Sequence, residues 1–153
     1  MEDQLAFVKS LLRKLQGTLD KAILQKYNLN KCERVAEKLN NFSPNCMECQ
    51  QQLSELKDHL IQLESKKDRL EYTDYNHHNQ LIKGITSHLH KKHKLLPEGY
   101  YLSIYMSFGI SIGCALGLTI FNNIALGIPI GMGIGIAIGA GLDADAKKKG
   151  KTI

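Results

Sequence analysis

Two segments decide the fold of this chain: Tyr100–Phe121, YYLSIYMSFGISIGCALGLTIF, and Ile124–Leu142, IALGIPIGMGIGIAIGAGL. From Gly99 to Leu142 no side chain is charged, whereas all 20 Lys and Arg residues lie in 1–94 or 147–151. A helix needs about 20 apolar residues to cross a hydrocarbon core roughly 30 Å thick, so this stretch holds two spans. Asn122-Asn123 supplies a short polar turn between them. The prediction is a transmembrane helical hairpin with spans of about 100–121 and 124–142.

Glycines recur every fourth residue within it. Gly109, Gly113 and Gly117 mark the first span; Gly127, Gly131, Gly135 and Gly139 mark the second. Residues at i, i+4 and i+8 share one helix face, so each span carries a groove without Cβ atoms. In lipid, helices are held by dispersion and by Cα–H···O contacts at close approach, and small residues permit that approach. These seven glycines are read as helix-packing residues, either between the spans or between hairpins of an oligomer. Two other readings compete. Ile128–Gly139 also alternates with the period of a strand, but a lone strand pair leaves edges that lipid cannot satisfy, so it requires an oligomeric barrel. Pro129, near the start of the second span, permits a re-entrant hairpin, or marks only where regular helix begins.

Basic clusters flank the spans: Lys91, Lys92 and Lys94 before the first, Lys147, Lys148, Lys149 and Lys151 after the second. Such clusters are topology and lipid-headgroup signals before they are nucleic-acid signals. They put both termini on the cytoplasmic side of a plasma (inner) membrane, which an even number of spans allows. The expected organisation is a cytoplasmic helical domain at 1–98, the hairpin at 99–143 and a basic tail at 144–153. Met1-Glu-Asp-Gln is acidic, and Lys9, Arg13 and Lys14 interrupt the following region, so no secretory signal is expected. The cysteines are then reduced thiols rather than a disulfide framework.

The stretch from about Tyr100 to Lys151, with its GxxxGxxxG runs, its closing Gly141-Leu-Asp-Ala-Asp-Ala and its lysine tail, resembles small glycine-zipper membrane proteins of bacteria, including Bacillus-type ones. The resemblance implies close helix packing in a membrane. It carries no catalytic residue onto this chain.

The N-terminal part reads as all-α, a helical bundle or coiled coil. Leu5, Val8, Leu12, Leu15, Leu19 and Ala22 fall in alternating steps of three and four over Asp3–Tyr27, a coiled-coil seam. Asn28-Leu-Asn30 breaks it, and a short helix is expected over Lys31–Leu39. Asn40–Asn45 reads as a turn. Leu53, Leu56, Leu60, Leu63 and Leu70 continue the seam, Tyr72–Asn76 reads as a second turn, and Leu81, Ile82, Ile85 and Leu89 mark a last helix. The charged faces lack the aromatic interleaving that stacks on bases, so nucleic acid is not an expected partner.

One constellation carries chemistry. Cys46-Met-Glu-Cys49 opens the long helix, and His88, His90 and His93 cluster near the end of the last. Antiparallel pairing around a turn near position 73 brings Cys49 towards His93. Cys46, Cys49, His90 and His93 then offer the tetrahedral two-thiolate, two-imidazole set of a structural zinc, stapling a domain with a modest core. Against this, the CxxC and the histidines read as partly buried small residues and a basic, headgroup-facing patch. A redox CxxC lacks its βαβ context. His77-His78 lies by the expected turn and is expected to face solvent. No nucleophile–base pair, phosphate loop or nucleotide fingerprint is recognisable, so an enzyme is not expected. The expected function is a membrane-anchored helical adaptor, in contact with lipid, homo-oligomeric and meeting a cytoplasmic protein partner. The alternative is an oligomerising, pore-forming or membrane-perturbing effector, with Ser103, Ser107, Ser111 and Thr119 as the main candidates for a polar lining.

Overall fold

Apolar periodicity, interrupted by Asn, Asp and Gly, becomes seven α-helices in the computed structural model, which describes residues 2–153: α1 (Glu2–Thr18), α2 (Lys21–Tyr27), α3 (Leu29–Phe42), α4 (Met47–Ser65), α5 (Tyr72–His93), α6 (Tyr100–Thr119) and α7 (Ile124–Lys148). The fold is all-α; no strand forms among the described residues. The chain makes two compact units, one running to His93 and including Ile153, the other Lys94–Thr152.

In the first unit α1, α3 and α4 pack on one another, and α5 lies against α3 and α4. Val8, Leu12 and Leu15 of α1, Val35 and Leu39 of α3, and Leu53, Leu56 and Leu60 of α4 are buried. Lys9–Glu37, at 2.5 Å, and Lys14–Glu64 tie the rims. The expected seam over Asp3–Tyr27 stops early. Leu5 is half-buried, Leu19 is half-buried and Ala22 is exposed, because the helix breaks after Thr18 and Asp20 begins α2 from extended backbone (φ −62°, ψ 149°). Gly17 and Thr18 are weak helix formers there, and the Thr18 hydroxyl donates back to the Lys14 carbonyl at 2.9 Å. The second break needs only Asn28. It sits in the left-handed region (φ 46°), ends α2, and its side chain accepts from Lys31 N to start α3. Helix α3 therefore runs past both ends of the expected Lys31–Leu39.

Tyr72–Asn76 is not a turn but the first turn of α5. Asp74, three residues into it, accepts from the Glu71 backbone N–H at 3.1 Å and from Lys66 Nζ at 2.9 Å. A polar residue there caps the helix rather than ending one. The reversal lies earlier, between Ser65 and Tyr72. His78 is buried rather than solvent-facing; His77 is exposed.

The second unit is the hairpin α6–α7. All seven glycines at steps of four face the opposing backbone: Gly109 meets Gly131 and Gly135, Gly113 meets Gly127 and Gly131, Gly117 meets Ile124 and Gly127, and Gly139 meets Leu102. A Cβ on Gly131 would stand 2.6 Å from the Gly113 Cα, and one on Gly139 would stand 2.7 Å from the Leu102 Cα. Such separations leave no room for a methyl group. Gly133 and Gly141, off that register, have nothing within 4 Å. The turn closes with Asn122 in the left-handed region (φ 47°) and Asn123 N donating to the Gly117 carbonyl at 2.8 Å. The Asn123 side chain then caps α7 at Ala125 N, 3.0 Å. Pro129 lies inside α7, which remains one helix through it. Helix α7 also outruns the expected Leu142 to Lys148, carrying the acidic and lysine residues as further turns.

Candidate functional site

Helix α4 begins where the Ser43–Asn45 3₁₀ turn, with Pro44, stops α3 and the backbone extends at Cys46 (φ −145°, ψ 105°). Cys46 is thus the N-cap and Cys49 the third helical residue, so both sulfurs gather at one helix N-terminus. Opposite them, α5 ends. Cys46, Cys49, His88 and His93 present four ligand atoms within 4.8 Å of one another. His88 Nε2 lies 3.5 Å from Cys46 Sγ and 3.3 Å from Cys49 Sγ, and His93 Nε2 lies 3.2 Å from Cys49 Sγ. Zinc takes sulfur at about 2.3 Å and nitrogen at about 2.0 Å, so tetrahedral ligand atoms stand roughly 3.5 Å apart. These sulfur–nitrogen separations fall in that range.

The surrounding groups orient the donors. His88 is buried, and its Nδ1–H donates to the Glu48 carboxylate at 2.9 Å, which leaves Nε2 as the lone-pair atom facing the sulfurs. Carboxylate–imidazole pairs of this kind hold the tautomer and orientation of metal-ligating histidines. The His93 ring stacks on Phe42, centroids 4.0 Å apart and planes 21° apart. Burial pushes the Cys49 thiol up to about 12, with Cys46 and Glu48 adding to the shift, and burial holds the His93 imidazole below its usual range. Without a cation beside them, Cys49 and His93 favour their neutral forms.

The structure brings together Cys46, Cys49 and His93 of the expected set but replaces His90 with His88. The reversal between α4 and α5 is centred several residues before position 73, which draws Cys49 level with His88. Helix phase agrees. His88 stands three residues after Ile85 and His93 four after Leu89, steps that keep them near the buried side of α5. His90 follows Leu89 directly, turns about 100° away and is exposed. The buried positions Ile82, Ile85 and Leu89 already carried that signal. Glu48 was legible only as the x of CxxC.

A second polar cluster, of which only His78 was considered from sequence, lies at the other end of α5. His78 and His59 are 2% and 5% exposed. His78 Nε2 donates to the Tyr27 carbonyl at 2.9 Å, with Cys32 Sγ at 3.7 Å. Its Nδ1 therefore accepts from His59 Nε2 at 3.0 Å, and His59 Nδ1 is buried without a hydrogen-bond partner. Burial, with His78 and His77 nearby, lowers His59 to about 4; burial also lowers His78. Both imidazoles are neutral at pH 7.

In the hairpin, each polar residue expected to line a path bonds its own helix. Ser103, Ser107, Ser111 and Thr119 donate to the carbonyls of Gly99, Ser103, Ser107 and Ala115 at 2.9, 2.9, 3.0 and 2.8 Å. Asp143, also not singled out, accepts from Tyr101 N and Leu102 N at 3.0 and 2.9 Å, so the end of α7 caps the start of α6. Leu96 N donates to the Lys151 carbonyl at 2.8 Å beside it. Of the flanking lysines, Lys91, Lys92, Lys94, Lys148 and Lys151 are exposed, while Lys147 pairs with Glu98 at 3.4 Å and Lys149 with Asp145 at 2.6 Å. Phe108, Ile112, Leu118, Ile134 and Ile138 point outward and are exposed. Helices α6 and α7 are long and apolar enough to cross a membrane, and only 17% and 22% of their apolar windows are buried. A core helix of a water-soluble protein would be mostly covered.

Residues 98–145 match the family described as glycine zipper membrane protein. They carry a glycine-zipper membrane domain. The match spans the hairpin that the glycine contacts define and stops before the lysine tail. Comparison of the chain with curated proteins and with solved structures returns no match.

Proposed function

We propose that this chain is a non-enzymatic, membrane-anchored adaptor. In this reading the hairpin crosses a plasma (inner) membrane twice with both termini in the cytoplasm, and the bundle of α1–α5 meets a cytoplasmic protein partner. The observation that carries it is the division of faces in the hairpin: seven glycines lie against the backbone of the opposing helix within the chain, and the bulky apolar side chains point outward. That is the construction of an anchor. The lysines at both ends of the hairpin support the orientation. Homo-oligomers would then form through outward side chains or the bundle surface, since the glycine faces are occupied. The pore reading has less support, because the serine hydroxyls are bonded to their own helices.

The bundle is fastened by one structural zinc on Cys46, Cys49, His88 and His93. The donor chemistry, the separations and the Glu48 and Phe42 supports favour it. Zinc measured on protein purified without added metal is expected at one per chain, lost in Cys46→Ser and His88→Ala and kept in His90→Ala. A metal-free wild type would remove the zinc. Crosslinking in native membranes, followed by size measurement in nanodiscs, is expected to recover a defined protein partner. A bare monomer in every preparation would sink the adaptor. Dye release from vesicles carrying the wild type, abolished by Gly113→Leu, would replace it with the pore.

A further inference from the structure

Helix α5 is held to the bundle differently from its neighbours. Between α1, α3 and α4 the contact is continuous and leucine-rich. Along α5 the fully or nearly buried apolar residues are Ile82, Ile85 and Leu89, a short seam in a helix of 22 residues. At each end the contact is made by polar and aromatic groups: Tyr75 against Tyr27 and His78 against His59 and the Tyr27 carbonyl at the start, His88 and His93 against the two cysteines and Phe42 at the finish. Among the four longer helices of the bundle, α5 therefore packs least on its neighbours, and it carries two of the four metal donors. Helix α5 is also the segment that continues, through Lys94–Gly99, into α6.

We infer that metal occupancy of the Cys46–Cys49–His88–His93 cluster controls the docking of α5, so that α5 is a zinc-gated arm between the bundle and the membrane hairpin. The inference rests on the zinc reading above and adds its consequence. Binding is a ligand exchange without electron transfer: Zn²⁺ sheds water, two thiols release two protons to solvent, and two sulfur and two nitrogen bonds to the metal form. Two of those bonds come from the start of α4 and two from the end of α5, so the ion bridges helices rather than bracing one. Undocked α5 separates the ligand pairs and binds metal poorly. By linkage, free zinc at a thousand times its dissociation constant then favours the docked state about a thousandfold. The bulk of the bundle core, Leu12, Leu15, Leu39, Leu53 and Leu56, lies on α1, α3 and α4 and is expected to persist when α5 leaves. Glu48 is the positioning residue of this switch. It holds His88 Nε2 towards the sulfurs from an exposed site (side chain 55% exposed), so its replacement weakens binding without opening the core.

The test uses the full chain in nanodiscs. Zinc is stripped with a chelator and titrated back, with bound metal and hydrogen exchange of the α5 amides followed together. Expected are one zinc per chain and at least about tenfold faster exchange in α5 on stripping, with α1 and α3 little changed. Glu48→Gln is expected to weaken zinc binding by about 10- to 100-fold and to move the zinc midpoint of α5 protection by the same factor. Zinc binding with α5 exchange unchanged would overturn the gate while leaving the structural zinc. Loss of protection across all helices together would also overturn it, because the metal would then hold the whole bundle. A wild type that binds no zinc removes both the site and the gate.

Discussion

In the hairpin, a Cβ on Gly131 would reach 2.6 Å from the Gly113 Cα, so backbone meets backbone; in the bundle, Leu12, Leu15, Leu53 and Leu56 fill the space between helices. The solvent explains the difference. In water, burying a leucine removes apolar surface and stabilises by roughly 2 kcal/mol. In lipid that transfer gains almost nothing, and close approach of small residues must provide the contact. The hairpin is thus sensitive to added atoms and the bundle to removed ones. Hydroxyls bond their own helix in both regions, and the bundle additionally buries two imidazoles against each other.

The sharpest way to break this contrast is Gly131→Leu. Its side chain cannot fit beside Gly113, and separation of the spans is expected, at a cost of about 4 kcal/mol or more. Loss of disulfide crosslinking between engineered cysteines facing across α6 and α7 reads this out, and Gly133→Leu, which has open space, should retain it. Unchanged crosslinking in Gly131→Leu would mean that the glycine register is not the packing surface.

Leu56→Ala tests the opposite sensitivity. A fully buried leucine removed from the bundle should cost about 2–5 kcal/mol, measured as a lowered denaturant midpoint of the bundle with the α6–α7 crosslink intact. Loss of both together would show that the two units do not unfold separately.

Acid probes the imidazole pair. His59 and His78 titrate near 6.5 when unfolded and lower when folded, His59 at about 4. The unfolded chain therefore binds more protons below pH 6.5, and stability falls as pH drops from about 6.5 towards 4. The loss is on the order of 2–3 kcal/mol, and the His59→Gln/His78→Gln variant should show correspondingly less. Equal pH slopes in the two proteins would exclude the pair as the cause.

The smallest effect belongs to Asp143→Asn, which weakens the cap on α6. About 1 kcal/mol of hairpin stability is expected to be lost, seen as faster exchange at Tyr101 and Leu102 with Gly113 protection unchanged. No change at those two amides would remove the cap from the account.

The bundle was legible to differing degrees. Leu53, Leu56, Leu60 and Leu63 stand where their spacing puts them because a helix face is a local property. The break at Asn28 was legible, whereas the one after Thr18 was not, since Thr, Asp and Asn serve equally as caps, turns and exposed helix positions. Tyr72–Asn76 was misread for that reason: Asp74 begins a helix there. His88 displaced His90 because the ligand set depends on where α4 and α5 reverse. A shift of a few residues in that turn changes which turn of α5 faces Cys49.

Sequence alone determined the all-α class, the two apolar helices and the four-residue glycine register on each, because charge exclusion and four-residue spacing are properties of single helices and the solvent they tolerate; that the two glycine faces meet each other within the chain was decided by the structure. Tertiary structure decided what lies across from what: Asp143 on the α6 N-terminus, His78 on His59, and His88 rather than His90 beside Cys46 and Cys49. Each of these joins residues 19 or more apart in the chain. Their meeting depends on helix lengths and reversal points summed along the fold, which no local pattern records.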